Sequence, residues 1–283
     1  MILDVVIPVY NKEKQILSVY NKINDELHNI KHRLIFVDNF STDKTLEELE
    51  NIYNMDDDNV KVISMATHNK DMAIYSGLFY SKHELVCIYD MDLELSVSYI
   101  TKMYDLLSKN KSLDQVCLCS NQKDKRLLKD RIYNFLLNTK YDSSKTYYRM
   151  FRQEIVSSIV VATQNIQFSI YSFDIIGFNT EYINVKLKNN NSIISFKQLS
   201  NYSNNPLYIV KYFSFILLFI SIILLILMMF TNFKINNELL LVFILLFNSI
   251  NIFLLSILSA NKNKINKSGF YIRRKIGYDE DFL

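Results

Sequence analysis

The sequence predicts an α/β fold, a mostly parallel sheet with helices on both faces, followed by a two-helix transmembrane hairpin. Three observations lead there. Short Ile/Val/Leu runs alternate with amphipathic stretches for about 120 residues, and the runs do not alternate in polarity, as strands covered on both faces would not. Several of these runs end abruptly in Asn or Asp. Finally, two uncharged apolar runs, 213–230 and 239–260, follow in tandem, each long enough to cross a hydrocarbon core as a helix.

Taken in order, Ile2–Pro8 reads as the first strand, and Asn11 as the cap of a helix with Ile16, Val19, Ile23 and Leu27 on one face. Leu34–Val37 is the second strand. Ser41 is expected to cap the next helix, which buries Leu46, Leu49 and Ile52. Val60–Ser64 precedes a helix through Ala73, Gly77 and Tyr80. Leu85–Tyr89 precedes one with Ile100, Met103 and Leu107. Val116–Cys119 closes the alternating region. A basic amphipathic helix is expected over 123–140, then a strand at 147–151 and a helix at 153–163. Between 165 and 208 the pattern is weak, with strands or short interfacial helices as the reading.

The expected organisation is therefore a cytoplasmic domain over 1–164, a juxtamembrane segment over 165–211, two membrane helices within 212–260 and a basic tail over 261–283. Lys262, Lys264, Lys267, Arg273, Arg274 and Lys275 follow the second run, whereas the connecting loop holds only Lys234. The positive-inside rule then predicts a multi-pass membrane protein with both termini cytoplasmic. Residues 1–10 carry Asp4 and no cationic region, unlike a signal peptide. A net charge of +3 gives no nucleic-acid signature, and beside a membrane it favours anionic headgroups. The 3 cysteines sit in apolar runs without His partners, which argues for buried thiols over zinc or disulfides.

The chemistry concentrates where strands end. Asp90-Met91-Asp92 places two carboxylates at the rim of a sheet, where open α/β folds bind ligands. Hard oxygen ligands suit Mg²⁺ or Mn²⁺, and such a metal suits a diphosphate. In a parallel sheet, Pro8 to Glu13 and Asp38 to Asp43 share that edge.

These segments resemble glycosyltransferase family 2, and within it the membrane-anchored polyprenyl-phosphate glycosyltransferases. The resemblance implies a GT-A-like nucleotide-diphospho-sugar-binding domain. Pro8, Tyr10, Asn11 and Glu13 match Pro-Val-Tyr-Asn-x-Glu and would wall the nucleotide pocket. Asp38, Asn39, Phe40, Ser41 and Asp43 match Asp-Asp-Gly-Ser-x-Asp, departing at Asn39 and Phe40, and the acid would meet the base ring. Lys70, Ala73 and Gly77 match Gly-Lys-x-x-Ala-x-x-x-Gly, with Asn69 for the first glycine and Lys70 turned to the diphosphate. Asp90 and Asp92 match the metal motif as the catalytic pair.

On the acceptor side the sequence departs further. An aspartate usual before Phe-Arg falls at Tyr147, and the arginine-rich motif expected before the membrane spans is absent. Arg126, Arg149 and Arg152 are the candidates for an acceptor phosphate. The resemblance implies metal-dependent, inverting transfer of sugar from a UDP- or GDP-sugar to a polyprenyl phosphate lipid at a membrane, by a homo-oligomer. The departures leave open a different lipid or polymer acceptor, or a degenerate relative that binds or scaffolds.

Overall fold

The computed structural model describes residues 1–121, 144–163, 177–187, 208–230, 245–252 and 271–278, with single residues 130, 131, 134, 142, 168 and 173 between them. Its centre is an eight-stranded sheet. In chain order the strands are β1 (Leu3–Val9), β2 (His32–Asp38), β3 (Val60–Met65), β4 (Leu85–Ile88), β5 (Gln115–Ser120), β6 (Lys145–Arg152), β7 (Thr180–Val185) and β8 (Ile272–Ile276). Across the sheet they run β7-β5-β6-β4-β1-β2-β3-β8. The expected parallel pairing holds for β4-β1-β2-β3 and for β5-β7. The sheet is nonetheless mixed, because β6 runs against both β4 and β5, and β8 against β3.

Side chains alternate across β1. Leu3, Val5, Ile7 and Val9 meet helices α1 (Ile16–Glu26), α2 (Thr45–Met55) and α4 (Ser98–Lys109) through Ile16, Ile23, Leu49, Ile52, Ile100 and Met103. Val6 faces the other way, with Ile35, Val37, Val86 and Ile88, towards α3 (Lys70–Phe79) and α5 (Gln153–Thr163). Strands clothed on both sides account for the unbroken apolar runs. A buried Asp4 fastens β1 to its surroundings. It takes Nε and Nη2 of Arg33 at 2.9 and 2.8 Å and the main-chain N–H groups of Lys82 and His83 at 2.7 and 3.1 Å. All three cysteines are free and buried.

The expected helix caps are corrected. α1 starts after Gln15 and α2 after Lys44, both without a side-chain cap. Asn11 and Ser41 turn to each other's loops instead, because Asn11 takes the left-handed conformation (φ 51°) and its chain passes beside Ser41.

The transmembrane hairpin and the multi-pass location are also corrected. The first apolar run lies in α6 (Tyr208–Phe230). Of the second run, residues 245–252 are described, and they are helical. Among the described residues no helix is long and apolar enough to cross a membrane. Part of the positive flank has another use as well. Arg273, Arg274 and Lys275 belong to β8, where Arg274 pairs with Glu50 and the Lys275 ammonium lies 5.3 Å from the Tyr80 ring centre. The helix expected over 123–140, with Arg126, lies outside the described residues apart from single positions, as does most of 165–208.

Candidate active site at the carboxyl ends of the strands

β1, β2, β3 and β4 deliver their carboxyl ends to one rim, where the segments after Val9, Asp38, Met65 and Ile88 meet. Two of these loops are laced together. Asn11 N–H donates to Ser41 Oγ (3.0 Å), Thr42 N–H to Asn11 Oδ1 (2.9 Å), Lys12 N–H to Thr45 Oγ1 (2.7 Å) and Lys44 N–H to Glu13 Oε2 (3.1 Å). Asp43 accepts from Thr45 N–H at 3.0 Å. Burial acts to raise the Asp43 carboxyl, but the Thr45 bonds outweigh it and hold it below its ordinary value. The motif residues Asn11, Glu13, Ser41 and Asp43 thus fix the loops against each other.

Asp38 and Asn39 are buried and also brace the rim. Asp38 accepts from Ser41 N–H and from the Ser64 hydroxyl, each at 3.1 Å. Asn39 Oδ1 accepts Asn69 N–H at 2.7 Å, which ties the β2 end to the start of α3. Asn69 then caps α3 by accepting Met72 N–H at 3.2 Å. Phe40 occupies the usual glycine position with φ 65°, so the left-handed turn survives the substitution. Pro8 lies inside β1 opposite Val37, beyond the last residue that β1 pairs with β4. The half-exposed Tyr10 ring stands 4.2 Å from that of His68, tilted by 47°. His68 Nδ1 donates to Asn39 O at 3.1 Å. A ring pair of this kind at the sheet edge offers a face to a nucleobase.

The Asp-x-Asp sits where β4 gives way to a single 3₁₀ turn, Met91–Leu93. Asp90 is buried, and its Oδ1 accepts Asp92 N–H at 3.2 Å. Glu94 closes the turn at φ 50°. From below, the Tyr148 ring meets Tyr89 edge-on, and its hydroxyl donates to Ser96 O at 3.1 Å. Both carboxylates face lysines. Lys70 Nζ bridges Asp90 Oδ1 at 2.7 Å and Asp92 Oδ2 at 2.8 Å, and Lys12 Nζ reaches Asp92 Oδ1 at 3.1 Å. Burial favours neutral forms of both groups, yet the pairing wins. Lys70 is raised by Asp90 and Asp92, and Asp92 is lowered by Lys70 and Lys12.

A cation therefore already fits between the two carboxylates. Among the described residues no cluster of three or more His, Cys, Asp or Glu could hold a metal alone. Mg²⁺ is commonly held by one or two carboxylates together with substrate phosphates, which is the donor set Asp90 and Asp92 would supply.

The acceptor-side arginines Arg149 and Arg152 are taken up by main-chain carbonyls. Arg149 is buried, donates from Nε and Nη2 to Thr146 O at 3.1 and 2.8 Å, and stacks 4.3 Å over the Phe173 ring. Arg152 pairs with Leu85, at the opposite end of β4 from Asp90. It donates to the carbonyls of Leu113, Leu107 and Asn110 at 2.9, 2.8 and 3.1 Å. The sequence reading did not single out Lys12 or His68. Lys12 was within reach, lying inside the Asn11–Glu13 motif, but nothing in the sequence singles out His68.

Solved structures share this fold. A glucosyl-3-phosphoglycerate synthase from Mycobacterium tuberculosis, crystallised with Mn²⁺, UDP and phosphoglyceric acid, superposes with a TM-score of 0.50 at 17% identity, covering 72% of this chain and 75% of that one. The same enzyme with UDP alone also gives 0.50 at 17% identity, over 72% and 77%. At that identity the likeness is one of fold. The Bacillus subtilis (strain 168) protein described as uncharacterized glycosyltransferase YkcC is 28% identical over 104 residues, 36% of this chain. The match spans 32% of that relative, about a third of its length. The family model for glycosyl transferase family 2 matches residues 4–177, the span holding every strand end described above, and the chain belongs to that family.

Proposed function

We propose that this glycosyltransferase moves a sugar from a nucleotide diphosphate sugar by a single inverting displacement, with Mg²⁺ or Mn²⁺ held by Asp90 and Asp92. The observation that carries the reading is the bridging of both carboxylates by the Lys70 ammonium, with Lys12 beside it. Two carboxylates and two ammonium groups make a neutral cluster. Asp90 and Asp92 would hold a divalent cation, and Lys12 and Lys70 would then be free to turn their charge on a diphosphate. The metal, when bound, supplies positive charge against the two phosphates and the departing nucleotide. Tyr10 and His68 flank the base, and Asn39 with Asn69 holds the start of α3 so that Lys70 stays aimed at the clamp. The Mn²⁺ and UDP named for the matching synthase support this donor.

The polyprenyl phosphate acceptor implied by the resemblance draws no support from Arg149 or Arg152, whose guanidinium groups serve main-chain carbonyls. The alternative of a different acceptor fits these placements better.

Incubating the full chain with labelled UDP- and GDP-sugars, Mn²⁺ and a panel of acceptors tests the reading. Product formation is expected, with Asp92→Asn reducing turnover roughly a hundredfold or more, as loss of a charge-stabilising group at the reacting centre does. Nucleotide binding without turnover of any donor would instead favour the binding or scaffold role.

A further inference from the structure

Beside the clamp stands a second acidic group that the donor half of the site does not use. Asp71 follows Lys70 in the first turn of α3, and the Tyr147 hydroxyl donates to its Oδ1. Tyr147 comes from β6, the neighbour of β4. The pairing of Ile88 with Arg149, carried two residues further along these antiparallel strands, sets Tyr147 level with Asp90. Tyr147 is buried, in the cluster that packs α3 against the sheet. Asp71 Oδ2 takes no hydrogen bond from the described residues.

Position 147 is also where the family resemblance leads one to expect a carboxylate. Here the strand contributes a hydroxyl, and that hydroxyl meets a carboxylate from the adjoining helix.

We propose that Asp71, oriented by Tyr147, accepts the proton of the acceptor, and that the acceptor is accordingly a hydroxyl and not a phosphate. This rests on the donor reading given above. The acceptor oxygen bonds to the anomeric carbon of the donor. The bond from that carbon to the diphosphate oxygen breaks, and its electron pair leaves with the diphosphate. The hydroxyl proton passes to Asp71 Oδ2 and later returns to solvent. Asp71 is the catalytic residue of this step and Tyr147 a positioning residue.

Charge decides between the acceptor classes. A phosphate monoester is already substantially ionised at neutral pH and needs no base. A carboxylate at its elbow only repels it. A hydroxyl does need a proton acceptor in the transition state. Burial, opposed by the Tyr147 bond and the Lys70 charge, raises the Asp71 carboxyl above its ordinary value, which suits a base. A plain helix-start aspartate would gain from the α3 dipole without any of this, so the test must separate the two roles.

The full chain is assayed with Mn²⁺ and UDP- and GDP-hexoses against octyl glucoside as the hydroxyl acceptor and citronellyl phosphate as the phosphate acceptor. Release of nucleoside diphosphate without added acceptor reports transfer to water. Turnover is expected with octyl glucoside. Asp71→Asn should lower kcat by roughly a hundredfold or more, with donor Kd by calorimetry unchanged, showing that the variant is folded. Asp71→Glu should restore part of the rate, and Tyr147→Phe should lower kcat by about tenfold with the donor KM unmoved. Asp71→Asn within about threefold of wild type overturns the proposal. So does preferred use of citronellyl phosphate, and so does donor binding with neither transfer nor hydrolysis. Absence of donor binding in the wild type overturns the donor reading itself, and this proposal with it.

Discussion

At the scale of residues, the rim is built from side chains doing double duty. Asp38, Asn39, Asn11 and Glu13 carry the family pattern, yet in the folded chain Asn39, Asn11 and Glu13 each accept a hydrogen bond from a neighbouring loop, and Asp38 accepts from its own loop and from Ser64 of β3. Each such bond contributes about 1 kcal/mol net, and together they fix where Lys12 and Lys70 point. The motif was legible in the sequence because its residue types and spacing are distinctive. Which oxygen meets which amide was not, since that depends on two loops separated by a whole strand. Phe40 is the clearest local conflict. Its ring is 42% exposed and its backbone is left-handed at φ 65°. Holding an ordinary residue there costs roughly 1–2 kcal/mol. Phe40→Gly is expected to stabilise the protein by about 1 kcal/mol, seen as a higher denaturant midpoint with an unchanged slope. A lower midpoint would mean that the exposed ring makes contacts worth more than the backbone strain.

At the scale of elements, α3 matters most, because it carries Asn69, Lys70 and Asp71 to the rim in consecutive positions. It can do so only by lying close on the sheet. Gly77 makes that approach possible, for a Cβ there would come 2.3 Å from Val6 Cγ1 and 3.1 Å from Val37 Cγ2. Gly77→Ala is expected to cost about 1–3 kcal/mol through overpacking. By lifting α3 it should also weaken donor binding, measurable by urea unfolding beside nucleotide titration. Loss of stability with unchanged donor affinity would show that the helix start is held independently of its packing. Strands β1 to β5 and helices α1 to α4 were legible from periodicity, since both faces of the sheet are covered and each helix has one apolar stripe. The caps were misread because Asn11 and Ser41 look the same whether they cap a helix or bridge two loops. The antiparallel sense of β6 was not legible either, because an apolar strand reads the same in both directions.

At the scale of the whole molecule, the tail returns to the sheet. β8 pairs antiparallel with β3 and covers what would be an exposed edge. A count of cations along the sequence assigns Arg273, Arg274 and Lys275 to a membrane flank, and only the three-dimensional arrangement shows them on a strand. What the architecture does unify is the rim. Four parallel strands end together, two lysines neutralise two aspartates there, and Asp71 with Tyr147 adds an acidic group on the β6 side.

The claim underlying all of this is that Asp90 and Asp92 form a metal-dependent site for a nucleoside diphosphate. Its most direct test is calorimetric titration of UDP and GDP into the full chain, with Mn²⁺ and with chelator, for the wild type and for Asp90→Asn with Asp92→Asn combined. The account predicts that one nucleotide binds in the presence of Mn²⁺, and that chelator or the double substitution weakens binding roughly tenfold or more. Equal affinity with and without metal, unchanged by the double substitution, would contradict it.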